Sequence, residues 1–247
     1  MDISVIIPAH NEVGTIERLL QSLQRQEFER QAFEIIVVAD RCTDQTVAAA
    51  QRFQVDQVVE GVFNSPAAAR NAGAGKARGR ILLFLDADVI LPTPTFLTAV
   101  LNQAREGVVG TCLATPQQPG FRARLFWVVR NGFKKLKWAR DSNSMLFVDR
   151  RTFRSVGGYK ASAWPFEYYD FIQAARKQGT PYVFLSEPAV AVSMRRYEGG
   201  GYARTILWWL GQIARYNLGM KVQRPKPVEV WERERWTRTL IGLFGWE

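Results

Sequence analysis

Short apolar runs alternate with stretches of helical periodicity through the N-terminal third of the chain. Ile3 to Ile7 is a β-branched run stopped by Pro8 and reads as a strand; a turn-like Asn11 to Gly14 follows. Ile16, Leu19, Leu20 and Leu23 then recur at helical spacing, with Thr15 placed to cap that helix. Ile35 to Val38 reads as a second buried strand. Asp44 or Thr43 can cap a helix running through Val47, Ala48 and Phe53. Val55 to Val59 is a weaker strand, Ala67 to Ala77 a helix, and Ile81 to Leu85 a fully apolar strand. Strand and helix in alternation predict an α/β fold, with a predominantly parallel central sheet and helices on both faces. In such sheets ligands bind outside the carboxyl ends of the strands.

Beyond Pro92 the rhythm changes. The pattern predicts helices over Phe96 to Ala104, Leu125 to Trp138, Arg151 to Val156, Tyr169 to Lys177 and Tyr202 to Tyr216. It predicts strands over Val108 to Ala114, Ser144 to Val148, Tyr182 to Leu185 and Ala189 to Val192. Pro225 and Pro227 mark a linker. We therefore expect one domain over 1–220, with two halves (1–92 and 93–220), then an aromatic, basic tail over 221–247.

Composition narrows the chemistry. A 47% hydrophobic share is ample for a core, and no uncharged apolar run is long enough for a transmembrane helix. The start of the chain has no signal-peptide pattern, and its two cysteines, Cys42 and Cys112, have no metal spacing, so a reducing cytoplasm is the expected compartment. With one histidine, His10, a multi-histidine zinc site is excluded, and acid–base work falls to carboxylates. The net charge of +10 collects at Arg122, Arg124, Arg130, Lys134, Lys135, Lys137 and Arg140, then Arg150, Arg151 and Arg154. Such a field draws anions. No helix-turn-helix, RNA-recognition or zinc-finger pattern accompanies it, so nucleic acid is not an expected partner.

Two carboxylates, Asp86 and Asp88, end the apolar strand in FLDADV, Phe84 to Val89. A buried carboxylate needs a positive partner, and a hard cation shared with phosphate oxygens is one; a plain surface turn is the other reading. Asp40 also stands at a strand end, where it can accept hydrogen bonds from a base or ribose, whereas Asp44 is explained as a helix cap. The glycines of AARNAGAGKARG, Ala68 to Gly79, match neither a dinucleotide fingerprint nor a P-loop.

The order PAHNE, ADRCTD, ARNAG and FLDADV, continuing through FVDRRTFRSVGGY (Phe147 to Tyr159), resembles the family-2 glycosyltransferases of the GT-A fold. The resemblance covers about residues 3–180, and it implies that 1–92 is the nucleotide-sugar-binding half and 93–220 the acceptor-side half. It implies a nucleotide-diphosphate-sugar donor, with UDP-sugars favoured by their frequency in the family. It implies that Pro8, Ala9, His10 and Glu12 line the nucleoside pocket, that Asp40 binds the base and that Arg70 lies near the nucleotide. Asp86 and Asp88 match the D-x-D motif for a divalent cation, Mn²⁺ or Mg²⁺, with Asp88 the preferred direct ligand. Direct displacement by an acceptor hydroxyl would invert the anomeric carbon.

The chain departs from the family pattern at the base. Members carry Glu-Asp at a helix start; here the segment is Glu167-Tyr168-Tyr169-Asp170, and Tyr168 stands where the basic Asp is expected. Glu167 is the first candidate base and Asp170 the second. In MRRYEGGGY, Met194 to Tyr202, Arg195 or Arg196 can clamp the diphosphate on a glycine-rich loop; a basic surface loop is the alternative. The acceptor is unknown. A lipid or polyprenyl carrier and a small soluble molecule both fit. Trp231, Trp236 and Trp246 with Arg233, Arg235 and Arg238 give the tail the character of a segment for an anionic membrane surface, making the protein peripheral; packing on the domain or a second subunit is the rival reading, preferred for Trp208 and Trp209. Two other functions stay open: a nucleotidyltransferase, disfavoured by the lack of a Gly-rich basic N-terminal loop, and a non-catalytic nucleotide-sugar-binding homologue that has lost its base.

Overall fold

The computed structural model describes residues 1–118, 120–136, 142, 144–163, 166–195, 202–218 and 220. Arg196, Trp138 and the tail 221–247 fall outside them, as do the side chains of Trp208 and Trp209. The elements run β1 (Ile3–Ala9), α1 (Val13–Gln24), β2 (Phe33–Asp40), α2 (Thr46–Arg52), β3 (Gln57–Gly61), α3 (Pro66–Lys76), β4 (Ile81–Leu85), β5 (Val89–Ile90), α4 (Phe96–Gln103), β6 (Val109–Pro116), α5 (Phe121–Lys135), β7 (Met145–Asp149), α6 (Arg150–Val156), α7 (Glu167–Lys177), β8 (Tyr182–Val192) and α8 (Tyr202–Asn217).

One sheet in the order β3-β2-β1-β4-β7-β6-β8-β5 joins strands from both halves of the chain. β3, β2, β1 and β4 are mutually parallel, and β6 runs parallel to β8; β7 and β5 pair antiparallel. Both faces are covered. Alternate residues of β1 serve different cores: Ile3, Val5 and Ile7 pack with α1, α2, α4 and α5, whereas Ile6 packs with α3, α6 and α7. This two-sided burial explains why the central strands read as continuous apolar runs.

Local signals set the start of α3 and both ends of α6. Ser65 accepts from Ala68 N–H at 3.1 Å, with Pro66 in the first turn of α3. Asp149 accepts from Thr152 N–H at 2.9 Å to open α6, which closes on left-handed Gly157. Thr15 does not cap α1. The helix begins two residues earlier, and the Thr15 hydroxyl instead bonds back to Glu12. Asp44 takes over part of the capping: it accepts from Val13 N–H at 3.2 Å and from Thr46 N–H at 2.9 Å, serving the starts of α1 and α2 together.

Two further differences from the sequence reading have physical causes. The strands expected on either side of Pro188 form one strand, β8, because a register shift opposite Cys112 and Ala114 absorbs the residues that cannot pair. The basic run at Arg122 to Arg140 is not wholly a surface field. Arg130 and Lys134 are buried, and Lys134 Nζ donates to Cys112 O at 3.1 Å.

The amino ends of the central strands are held by a buried carboxylate. Glu34 accepts from Ser4 Oγ at 2.6 Å, Arg78 N–H at 2.6 Å and Arg78 Nε at 2.9 Å. Burial would raise this carboxyl, but the bonds from Ser4 and Arg78 reverse that and hold it below its ordinary 4.5. A depressed folded-state pKa gives stability that is present above the unfolded value and lost as pH falls through the folded one. We expect Glu34→Ala to cost about 2–3 kcal/mol in urea unfolding at pH 7, because it orphans donors from Ser4 and Arg78. The gap between variant and wild type should narrow steadily below about pH 4; a gap independent of pH would show that the charge contributes nothing.

Candidate nucleotide-sugar site

The carboxyl ends of β2, β1 and β4 lie side by side, so residues distant in sequence share one edge of the sheet. β1 delivers Pro8 and Ala9 next to Val38 and Ala39 of β2. The chain then leaves both strands through residues with positive φ, Asn11 at 51° and Arg41 at 50°. Asn11 Oδ1 holds the two turns together by accepting from Thr43 N–H at 2.8 Å. His10 Nδ1 sits 2.5 Å from Asp40 O, which ties the β1 turn to the end of β2.

Asp40 is fully buried. Its Oδ1 accepts from Phe63 N–H at 2.8 Å and lies 3.4 Å from Arg41 Nε. Oδ2 is buried without a hydrogen-bond partner among the described residues. An orphaned carboxylate oxygen is costly to bury and signals a missing donor. Glu12 N–H donates to Thr46 Oγ1 at 2.8 Å, and its carboxylate lies 3.3 Å from Arg195 Nη2. This ion pair brings the segment after β8 onto the β1 turn.

The second half of the site is assembled around Arg70 of α3. Its side chain is 6% exposed. Nη2 lies 2.7 Å from Asp86 Oδ1 and Nη1 3.5 Å from Glu167 Oε1. The guanidinium also covers the ring of Tyr168 at 4.3 Å and approaches that of Tyr159 at 5.8 Å. Tyr168 Oη donates to Asp86 Oδ1 at 3.2 Å. Burial opposes the charge on Arg70, but Tyr168, Asp86 and Glu167 outweigh it and keep the guanidinium protonated, its pKa raised. Glu167 is displaced the other way: burial raises its carboxyl, and Arg70 only partly offsets this. The Tyr168 phenol is raised well above its ordinary value, chiefly by burial, so it is a donor and not a base near neutrality.

Asp88 follows Asp86 in a turn stapled from two sides. Its carbonyl accepts from Gln117 Nε2 at 2.8 Å and from Ser193 N–H at 3.2 Å. Among the described residues no three His, Cys, Asp or Glu side chains cluster into a protein-only cage. Two neighbouring carboxylates at a strand end fit the other type of donor set, in which a hard cation arrives with phosphate oxygens.

Of the two candidate bases, only Glu167 joins this cluster. Asp170, one turn on along α7, accepts from the Tyr216 hydroxyl and lies 3.6 Å from Lys160 Nζ. Arg195 is tied to the β1 turn through Glu12, and Arg196 lies outside the described residues. Reasoning from sequence missed the Tyr159 ring and the Gln117 staple. A lone glutamine in a loop carries no signal of either role.

A family model described as glycosyl transferase family 2 matches residues 4–156, and the chain belongs to that family. The poly(ribitol-phosphate) β-N-acetylglucosaminyltransferase TarS of Staphylococcus aureus is 36% identical over 94 residues, 36% of this chain and 16% of that protein. A GalNAc(5)-diNAcBac-PP-undecaprenol β-1,3-glucosyltransferase of Campylobacter jejuni is 32% identical over 120 residues, 45% of this chain and 38% of that one. The chain thus spans well under half the length of either relative. The solved mannosyltransferase PcManGT of Pyrobaculum calidifontis, in complex with GDP-Man and Mn²⁺, superposes with a TM-score of 0.68 at 16% identity, over 98% of this chain and 74% of that one. That superposition supports the GT-A architecture.

Arg70 reaches its partners because α3 lies close on the sheet. A Cβ on Gly73, one turn further along, would fall 2.5 Å from Ile6 Cγ2 and 2.9 Å from Val38 Cγ2. We expect Gly73→Ala to cost about 1–3 kcal/mol by thermal or urea unfolding, as α3 lifts from β1 and β2. An unchanged melting temperature would mean that the helix seat is slack.

Proposed function

We propose that this protein is a metal-dependent, inverting glycosyltransferase that moves a sugar from a nucleotide diphosphate, a UDP-sugar by preference, to an acceptor hydroxyl. The observation that carries this reading is the pairing of an orphaned base-side carboxylate with an acidic strand end. Asp40 and Asp86 stand at the ends of β2 and β4 with only β1 between them, about 10 Å apart at ordinary strand spacing. That separation leaves room for a ribose between base and diphosphate.

The single open oxygen of Asp40 matches one imide N–H, as uracil presents; guanine offers two adjacent donors and would leave one of them unmatched. Pro8, Ala9 and His10 form the floor beside it. Asp88, with Asp86, would hold the Mn²⁺ or Mg²⁺, which when bound neutralises charge on the departing diphosphate. Arg195, which pairs with Glu12, would meet the phosphates, with Arg196 next in the chain.

Glu167 acts as general base. Its carboxylate takes the proton of the acceptor hydroxyl while the acceptor oxygen bonds to the anomeric carbon. The bond from that carbon to the diphosphate oxygen breaks, and its electron pair leaves with the nucleoside diphosphate. Arg70 has two tasks: it keeps Asp86 ionised and directed, and it limits how far burial raises Glu167. Asp170 orients α7 through Tyr216 and Lys160. A lipid-linked acceptor is the favoured class; the Campylobacter relative is named for one, and this chain exposes basic and apolar surface on its acceptor side.

Asp40→Asn places an amide N–H where an acceptor oxygen stood. We expect it to weaken UDP binding about tenfold or more in calorimetry with Mn²⁺, with apo stability unchanged or higher. Equal affinity would remove Asp40 from base recognition.

Glu167→Gln should lower turnover by about 10²–10⁴-fold with UDP affinity nearly intact. Because the raised carboxyl must be ionised to act, the acid limb of the wild-type pH–rate profile should lie above the ordinary carboxylate range. Arg70→Gln should move that limb higher still. Undiminished turnover by Glu167→Gln would overturn its role, and failure of the wild type to release UDP from any sugar donor would favour a binding protein.

A further inference from the structure

A groove of about 690 Å³ lies between β6 and α5. Its wall is mainly apolar, with Leu113, Pro116, Trp127 and Val128, and Arg124 and Lys135 stand along it. They are eleven positions apart on one helix, about 16 Å along its axis, so the groove is longer than a polar head group alone requires. Beside it α5 presents Phe121, Leu125 and Val128 to solvent, at 80%, 51% and 68% exposure, more apolar surface than an exposed helix face normally shows. No Asp or Glu occurs from Phe121 to Lys135.

One end of the groove meets the site. Gln117 lines it, and its Nε2 donates to Asp88 O at 2.8 Å and to Ala191 O at 3.1 Å. Two carbonyl partners fix which end of the amide is nitrogen. Oε1 is then a buried acceptor with no partner among the described residues. It calls for an O–H or N–H from a ligand.

We propose that this groove binds the acceptor and that the acceptor is an anionic amphiphile, a phosphate-bearing head on a long hydrocarbon chain. This rests on the glycosyl-transfer reading. A hydroxyl of the head donates to Gln117 Oε1 beside Asp88. Its phosphate meets Arg124, in the first turn of α5 and nearest that end. The hydrocarbon runs along Val128 past Gly132, where a Cβ would meet nothing within 4 Å. Lys135 covers the far end with its aliphatic stem, its ammonium 5.4 Å from the Phe184 ring centroid.

Gly132→Leu tests the assignment. The side chain enters open groove, and leucine favours a helix over glycine, so the fold is retained. The probes are farnesyl phosphate below its micellar concentration, farnesol and inorganic phosphate, titrated calorimetrically into the full chain, with UDP plus Mn²⁺ titrated in parallel. We expect wild type to bind farnesyl phosphate at least tenfold tighter than either fragment. Gly132→Leu should lose at least tenfold for farnesyl phosphate, Arg124→Gln should lose for farnesyl phosphate but not farnesol, and neither should alter UDP binding. Wild-type affinity in Gly132→Leu, equal binding of farnesol and farnesyl phosphate, or no binding of farnesyl phosphate would overturn the groove. Absence of UDP binding by the wild type would overturn the underlying glycosyl-transfer reading instead, and the two failures are read from separate titrations.

Discussion

A guanidinium removed from water must be matched by charge and hydrogen bonds at close range, and Arg70 is matched by three side chains from two elements: Asp86 after β4, and Glu167 and the Tyr168 ring at the start of α7. α3 is pressed onto β1 and β2 through Gly73, so the cation has little freedom to follow its partners if they move. The cluster therefore fixes the acidic strand end against the start of α7. It joins two halves of the chain that local sequence alone would leave independent. The same cation sets the electrostatics of the proposed chemistry, since Glu167 is raised by burial and restrained by Arg70.

The site costs stability where it is built. Asp40 buries an oxygen with no donor among the described residues, and the non-glycine residues Asn11, Arg41 and Ser144 adopt positive φ at strand ends around the site. These costs are local, and the two apolar cores on either face of the sheet oppose them. Loop cross-links spread the load: Asn11 to Thr43, His10 to Asp40, and Glu12 to Thr46 and Arg195. A preformed pocket with unmet hydrogen-bonding capacity favours a ligand able to supply the missing donor.

Charge along α5 is distributed more narrowly than the basic run suggests. Arg130 and Lys134 turn inward, where Lys134 serves Cys112 O and the Trp127 ring at 5.7 Å. Arg122, Arg124 and Lys135 remain outward on α5, interleaved with exposed Phe121, Leu125 and Val128. Among the described residues no helix is long and apolar enough to cross a membrane. In our reading, an amphiphilic acceptor would therefore meet the protein along this helix and not within a span.

Periodicity determined the existence and type of nearly every element, because burial on two faces leaves continuous apolar strands and one-faced helices that local pattern reports directly. It also placed Asp40, Asp86 and Asp88 at strand ends. What it left undecided concerned partners. Glu167 and Asp170 lie one turn apart on the same helix, and nothing in their spacing separates them. Their environments are set by Arg70, 97 residues away from Glu167, and by Tyr216, 46 residues away from Asp170. The two-residue strand β5, the continuity of β8 past Pro188 and the inward turn of Lys134 have the same origin. Each depends on which surface lies opposite once the sheet has closed, and a one-dimensional pattern records burial without recording the neighbour.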